Sequence, residues 1–169
     1  VIGLSGGADS VCLLSVLSVI VHDYIEEIGH GINITAVHVN HGIRGQEAQR
    51  DEAFAKRIAD SMGIEMVCFN LEIPKMAKQE GISQESAGRI ARYRCFRQVA
   101  ADRGMTDYRI AVAHHMDDQA ETVLMHIIRG SGMAGLNGMR AVSGDIIRPL
   151  LCVTREEILS YLKDNGLSY

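Results

Sequence analysis

Apolar positions along this chain alternate between two periods. Short β-rich runs recur at residues 1–4, 34–39, 65–71, 109–113 and 145–151, and the stretches between them repeat at helical spacing. Residues 10–28 are apolar nearly all round, which predicts a helix buried against a sheet and stopped by the glycines at 29 and 31. Residues 46–62 read as a polar-faced helix, with Phe54, Ile58 and Met62 on one side and Gly63 as its stop. Residues 74–81 read as a polar break behind Pro74. Residues 83–103 predict a helix capped near Ser83 or Gln84 and ended by Gly104, and residues 117–129 one with an acidic first turn, as the helix dipole prefers. A glycine-rich loop at 130–138 follows. Pro149 marks the end of the last run or an edge position, and Thr154 with Glu157 three residues on reads as the capping box of a final helix.

Strands alternating with helices predict an α/β fold: a parallel five-stranded sheet with helices on both faces, in a single domain over residues 1–169. In such sheets ligands sit beyond the carboxyl ends of the strands. The chemically suggestive residues fall there, namely Ser5 to Ser10, His38 to Arg44 and His114 to Asp118.

Composition narrows the classes. The chain has 169 residues, 47% of them hydrophobic, enough for a real core. A net charge of −4 argues against a general nucleic-acid binder, although Arg89, Arg92, Arg94, Arg97 and Arg103 crowd one segment and predict a local positive face. The longest apolar region, 11–21, is broken by Ser15 and Ser18 and is shorter than the roughly 20 residues of a membrane span. No basic segment precedes an apolar stretch as in a signal peptide. Cys12, Cys68, Cys95 and Cys152 form no C-x-x-C pair, which predicts packed thiols in a cytoplasmic protein and no zinc or dithiol site. The chain starts inside a strand and without Met, as expected of a piece of a longer protein lacking an N-terminal edge.

Five constellations are candidates for chemistry. Ser5-Gly6-Gly7-Ala8-Asp9-Ser10 lies between a strand and a helix start, where unpaired N–H groups and the dipole attract anions. Gly6 and Gly7 allow close backbone approach to a phosphate, Ser5 and Ser10 offer hydroxyls, and a carboxylate at Asp9 suits a bridging Mg²⁺. The bland alternative is a tight turn with Asp9 or Ser10 as N-cap. The pattern is neither a Walker loop nor a Rossmann fingerprint, lacking the lysine of the first and the third spaced glycine of the second.

His38-Val39-Asn40-His41-Gly42-Ile43-Arg44 leaves the second strand and reads equally as a base or phosphate contact, or as a packed histidine followed by an Asn40–Gly42 turn. His114-His115-Met116-Asp117-Asp118 places two histidines at a strand end and two carboxylates at a helix start. Adjacent helical residues diverge by about 100°, so one aspartate can meet Mg²⁺ while the other caps the helix. Zinc is the lesser fit. Glu85, Arg89 and Arg92 share a helix face, as a surface ion pair or an arginine clamp for phosphate or RNA. The glycine loop from Arg129 to Met139 reads as a lid or a long surface loop.

The opening motif resembles the PP-loop of ATP pyrophosphatases, with their adenine nucleotide alpha hydrolase-like fold. The ordered set goes further: that motif, His38 to Gly45, Glu85 with Arg89-Ile90-Ala91-Arg92-Tyr93, His114 to Thr122, and Arg129-Gly130-Ser131-Gly132 to Gly135-Leu136. Together these resemble the N-terminal catalytic domain of the tRNA(Ile)-lysidine synthetase family, with Ala113 departing from a glycine frequent there. The resemblance implies a ligase using ATP and Mg²⁺. It adenylates the C2 carbonyl oxygen of the first anticodon cytidine of isoleucine tRNA, releases pyrophosphate, and joins L-lysine to C2 with loss of AMP.

On that resemblance Ser5, Gly6, Gly7, Ala8, Asp9, Ser10, His38 and Asn40 bind nucleotide, and Asp9, Asp117 and Asp118 hold metal. Asp9, Asp117, Asp118, Arg89, Arg92 and His114 serve catalysis, and Glu121 is a candidate for the lysine ammonium. It implies partners in the tRNA anticodon loop and lysine, no membrane, a homodimer in the full-length protein, and C-terminal tRNA-gripping domains beyond Tyr169. The alternatives are a PP-loop tRNA thiolase, which commonly uses paired cysteines, and a non-catalytic nucleotide-binding domain.

Overall fold

β1 (Ile2–Gly3) sits at the middle of the sheet, and the chain folds outward from it in two directions. The computed structural model describes residues 1–29, 31–42, 46–130 and 137–169. The elements that follow are α1 (Ala8–Ile28), β2 (Thr35–Asn40), α2 (Gln46–Ser61), β3 (Glu65–Asn70), α3 (Ile73–Glu80) and α4 (Gln84–Asp102). The second half adds β4 (Ile110–Ala111), α5 (Met116–Ile128), β5 (Val142–Ser143), β6 (Ile146–Ile147) and α6 (Arg155–Asp164).

The strand order is β3-β2-β1-β4-β6-β5. β1 pairs in parallel with β2, with Ile2 opposite Ala36, and with β4, with Ile2 opposite Ala111. β2–β3 and β4–β6 are also parallel. The chain reverses its direction of growth between β1 and β4, and there the carboxyl ends of the strands open a crevice.

One correction concerns the sheet: among the described residues it has six strands, not five, because β5 adds an antiparallel edge to β6. Gly144, at φ 62°, opens the two-residue turn that joins them, a geometry that glycine adopts without a Cβ clash. Two exposed residues are too few to show a strand period, so β5 left no hydrophobic pattern.

Side chains alternate across β2, which buries Ala36 on one face and Val37 on the other. The first face packs Ile2, Leu4, Ala36 and Ala111 against Val11 and Leu14 of α1, Ala55 and Ala59 of α2, and Ile158 and Leu162 of α6. The second packs Val37, Ile110 and Val112 against Phe96 and Val99 of α4. α3 leans on α4 through Ile73, Ala77, Ala87 and Ala91.

That helix is a second correction, since residues 74–81 had read as a break. Proline is well tolerated in the first helical turn, where its missing N–H has no intrahelical acceptor, and Pro74 stands there. Burial of Ile73 and Ala77 one turn apart holds the helix down.

The apolar α1 is a third. Val11, Leu13 and Leu14 are fully buried, whereas Val19, Ile20, Tyr24 and Ile25 of its distal half are exposed. Residues 8–27 are long and apolar enough to cross a membrane by length and composition, with 39% of that window buried. β1, fixed in the sheet five residues earlier, instead ties the start of α1 to the core.

The close approach of α4 depends on Gly3. A Cβ there would stand 2.7 Å from Cζ of Phe96, a side chain buried on all sides. Gly3→Ala is therefore expected to lose about 1–3 kcal/mol in urea unfolding. Phe96→Leu in the same chain should recover part of that loss, and additive losses would contradict the contact.

Candidate functional site

The turn after β1 is held by one hydroxyl. Gly6 takes φ 92°, open only to glycine without strain, and Gly7 is the N-cap of α1. Ser10 Oγ accepts from the N–H groups of Ser5 and Gly6, each at 3.2 Å, and donates to the Gly7 carbonyl at 2.8 Å. Gly7 N–H reaches Ser5 Oγ at 3.4 Å.

The Ser10 hydroxyl thus shapes the loop from within, and the Gly6 N–H expected to face a phosphate is already bonded to it. The first intrahelical bond runs from Val11 N–H to the Gly7 carbonyl. The N–H groups of Ala8, Asp9 and Ser10 therefore have no helical acceptor, and they are the donors this helix start presents.

At the end of β2, His38 is buried and its Nδ1–H donates to the Leu4 carbonyl at 2.8 Å, which leaves Nε2 as the acceptor of the neutral ring. Asn40 Oδ1 accepts from Gly42 N–H at 3.0 Å and so forms a turn. His41 lies against Gly88 of α4, where a Cβ would come within 2.9 Å of the imidazole. Burial, then the charges of Arg92 and His38, push the His41 pKa below its ordinary value. Ile43, Arg44 and Gly45 of this motif lie outside the described residues, as do Ser131 to Leu136 of the glycine loop.

Beyond β4, His115 becomes the hub of three carboxylates. Its Nε2 stands 3.6 Å from Asp9 and 3.5 Å from Asp118, and its Nδ1 3.7 Å from Asp117. The adjacent aspartates diverge as helical geometry requires. Asp118 Oδ2 accepts from His115 N–H at 2.9 Å at the start of its own helix, while Asp117 Oδ2 accepts from Arg155 N–H at 2.9 Å at the start of α6. The Arg155 guanidinium pairs with Asp9.

Arg155 had no place in the sequence reading. The signal was there: a cation in the first turn of a helix opposes the dipole and needs a carboxylate nearby. Among the described residues no group of three His, Cys, Asp or Glu side chains is arranged as a metal cage.

The arginine-rich segment of α4 separates by partner. Arg94 pairs with Glu80, Arg97 grips Asp145 with two hydrogen bonds of 2.7 and 3.1 Å, and Arg103 meets Glu65. The expected positive face of five shrinks to Arg89 and Arg92. No ion pair links Glu85 to Arg89 among the described residues; Arg89 instead lies over the Tyr93 ring at 5.5 Å.

All of this converges on one cleft of about 1250 Å³. Ser5, Gly6, Gly7, Asp9, Ser10, His38, Asn40, Arg89, Arg92, His114 and Asp118 line it, and α2 adds Arg50, Phe54 and Arg57. Ala8 is buried behind the turn, and Asp117 and Glu121 do not line the cleft. Of the cysteines, Cys12 and Cys95 are buried and Cys68 half-buried, but Cys152 is exposed, against the expectation of packed thiols throughout.

A family of PP-loop domains matches the chain over residues 1–169. The chain belongs to the PP-loop family. Membership implies ATP use. This PP-loop domain is 42% identical over 167 residues to the tRNA(Ile)-lysidine synthase of Caldanaerobacter subterraneus subsp. tengcongensis, covering 99% of the chain and 34% of that protein. It is 43% identical over 168 residues to the tRNA(Ile)-lysidine synthase of Parabacteroides distasonis, covering 99% and 36%. The domain thus spans about a third of the length of the curated relatives it matches.

Among solved structures, the U34-tRNA thiolase NcsA from Methanococcus maripaludis, with its 4Fe-4S cluster, superposes with a TM-score of 0.76 at 23% identity, over 99% of this chain and 57% of the other. An NH3-dependent NAD synthetase from Campylobacter jejuni gives 0.56 at 18%, over 98% and 63%. At those identities they show that the PP-loop domain shares their fold.

His114 gives the site a pH signature. Burial holds its pKa below the ordinary 6.5, Arg148 adds to that, Asp118 opposes it, and Arg89 and Arg92 lower it further. The neutral ring belongs to the fold, so its contribution is present above pH 6.5 and is lost as pH falls through the lowered folded-state pKa, because the unfolded chain takes the proton first. Urea-unfolding free energy is expected to fall between pH 7 and 5, less steeply in His114→Asn. An unchanged slope in that variant would contradict the assignment.

Proposed function

We propose that residues 1–169 form the single ATP-binding catalytic domain of a tRNA(Ile)-lysidine synthase. The observation that carries this reading is the shared cleft: the PP-loop, His38, Arg89, Arg92, His114 and Asp118 face one space of about 1250 Å³, wide enough for a nucleotide and a splayed base together. The lysidine synthases that match nearly the whole chain at about 40% identity support it.

In this reading the first-turn N–H groups of α1 receive the phosphates of ATP. The C2 oxygen of the first anticodon cytidine attacks the α-phosphate, and pyrophosphate leaves. Arg89 and Arg92 approach the phosphates or the RNA backbone, where bidentate guanidinium contacts oppose the charge developing in transfer. The ε-amine of lysine then attacks C2 and the oxygen departs with AMP. An amide-like oxygen is a poor leaving group, so adenylation of that oxygen is what opens C2 to attack.

The residues fit Mg²⁺ on the PP-loop side. Asp9 and Asp118 both approach His115 Nε2, so two carboxylates meet beside the helix start. Mg²⁺ asks for only one or two carboxylates, its other positions going to phosphate oxygens and water. When bound it would neutralise charge on the transferring phosphate. Asp117, turned to α6, is the weaker candidate. Asp9 must exchange its Arg155 partner to serve such an ion.

The remaining parts of the reading are a cytoplasmic enzyme, homodimeric at full length, that grips isoleucine tRNA with domains outside this segment. A thiolase reading finds less support, since the four cysteines are dispersed over the fold.

The test uses the full-length protein with isoleucine tRNA, ATP and lysine. Mass spectrometry of the digested tRNA should show lysidine at the first anticodon position, and a thiolated base there would refute the reading. Asp9→Ala should cut tRNA-dependent pyrophosphate release by about 10²–10³-fold with unchanged far-UV circular dichroism. Retained release removes Asp9 from the mechanism.

A further inference from the structure

Arg148 follows β6 at the same carboxyl rim as the cleft and is 93% buried, at 7% relative exposure. Its NH1 donates to the Arg140 carbonyl at 2.7 Å, yet its buried Nε has no hydrogen-bond partner. Among the described residues no carboxylate pairs with it, although Arg94, Arg97, Arg103, Arg109 and Arg155 all have one. A guanidinium buried without a counter-ion is costly, so this unpartnered Nε is a candidate contact for an anion.

Two further observations say which anion. Arg148 lines a second cavity of about 420 Å³, a third of the main cleft, together with apolar Ala141, Ile147, Pro149 and Leu151. That space suits a small molecule with an aliphatic body and one anionic end. The planar fork of arginine matches a carboxylate bidentately.

Position supplies the rest. Val112 N–H bonds the Ile147 carbonyl at 3.1 Å, so Arg148 stands at the strand next to the one that carries His114. Its charge also acts on the His114 imidazole, which faces the main cleft. β6 is two strand spacings, about 10 Å, from β1 and its phosphate turn. Arg148 is thus set apart from the phosphate turn but close enough to act on His114, a residue that lines the cleft.

We propose that Arg148 anchors an amino-acid subsite: its guanidinium receives the α-carboxylate of the lysine substrate, whose aliphatic chain runs along the apolar cavity and delivers the ε-amine to the cleft. The proposal rests on the lysidine synthase reading and names the lysine site left open by it.

The test compares lysine with lysinamide, which keeps both amines and removes the carboxylate charge, in the full-length enzyme. Wild type should prefer lysine by roughly ten- to a hundredfold in kcat/KM for nucleoside formation. Arg148→Gln should bring that ratio to within about twofold of unity, and Arg148→Lys, which keeps the charge and loses the fork, to an intermediate value. A merely structural arginine would lower both substrates alike and leave the ratio untouched, and that result overturns the subsite.

Arg148→Lys serves alone if Arg148→Gln fails to fold, with an unchanged ratio again decisive. A change confined to the KM for ATP or to inhibition by pyrophosphate would assign the guanidinium to phosphate and also refute the proposal. A wild-type enzyme that makes no lysidine defeats the functional reading itself, whereas lysidine formation with an unaltered ratio in the variants defeats only the anchor.

Discussion

Three helix N-termini meet at one rim of the sheet, and their compensation organises the site. α1, α5 and α6 each bring unpaired N–H groups and a partial positive charge to the same neighbourhood. Asp9 lies in the first turn of α1, Asp118 closes the start of α5, and Asp117 crosses to the start of α6. His115 stands among all three carboxylates, and Arg155 returns a full positive charge to Asp9. Without those carboxylates the rim would repel a cation. With them it can attract phosphate to the helix starts while keeping oxygen ligands within reach.

The packing beneath places that rim. Gly3 lets Phe96 of α4 press against β1, so Arg89, Arg92 and Tyr93, one and two turns earlier, overhang the strand ends. Leu4 and His38 are joined by a side-chain bond to the carbonyl that precedes the turn, tying β1 to β2 where the cleft opens. Each contact is local and modest, but together they bring residues more than a hundred positions apart in sequence to one cavity.

Much of this was legible in the sequence. The strand–turn–helix start at Ser5 to Ser10, the alternation of strands with helices, and the Thr154–Glu157 capping box all rest on local periodicity or local chemistry, and all are found. What escaped depends on tertiary partners. Pro74 looks like a breaker until its place in a first turn is known, and the distal half of α1 is apolar without being covered. The arginines of α4 could be counted in sequence but not assigned, since Glu80, Asp145 and Glu65 come from distant segments. The same is true of Arg148, whose buried Nε has no hydrogen-bond partner and which no carboxylate among the described residues pairs with, a property no sequence shows.

The proposed function places the triphosphate between the start of α1 and Asp118. A crystal structure of the full-length protein with a non-hydrolysable ATP analogue and Mg²⁺ tests this most directly. Phosphate oxygens should lie on the N–H groups of Ala8, Asp9 and Ser10, the metal ion between Asp9 and Asp118, and Arg155 turned away from Asp9. An analogue bound elsewhere, or bound here with the Arg155–Asp9 pair intact and no ion on either carboxylate, would contradict it.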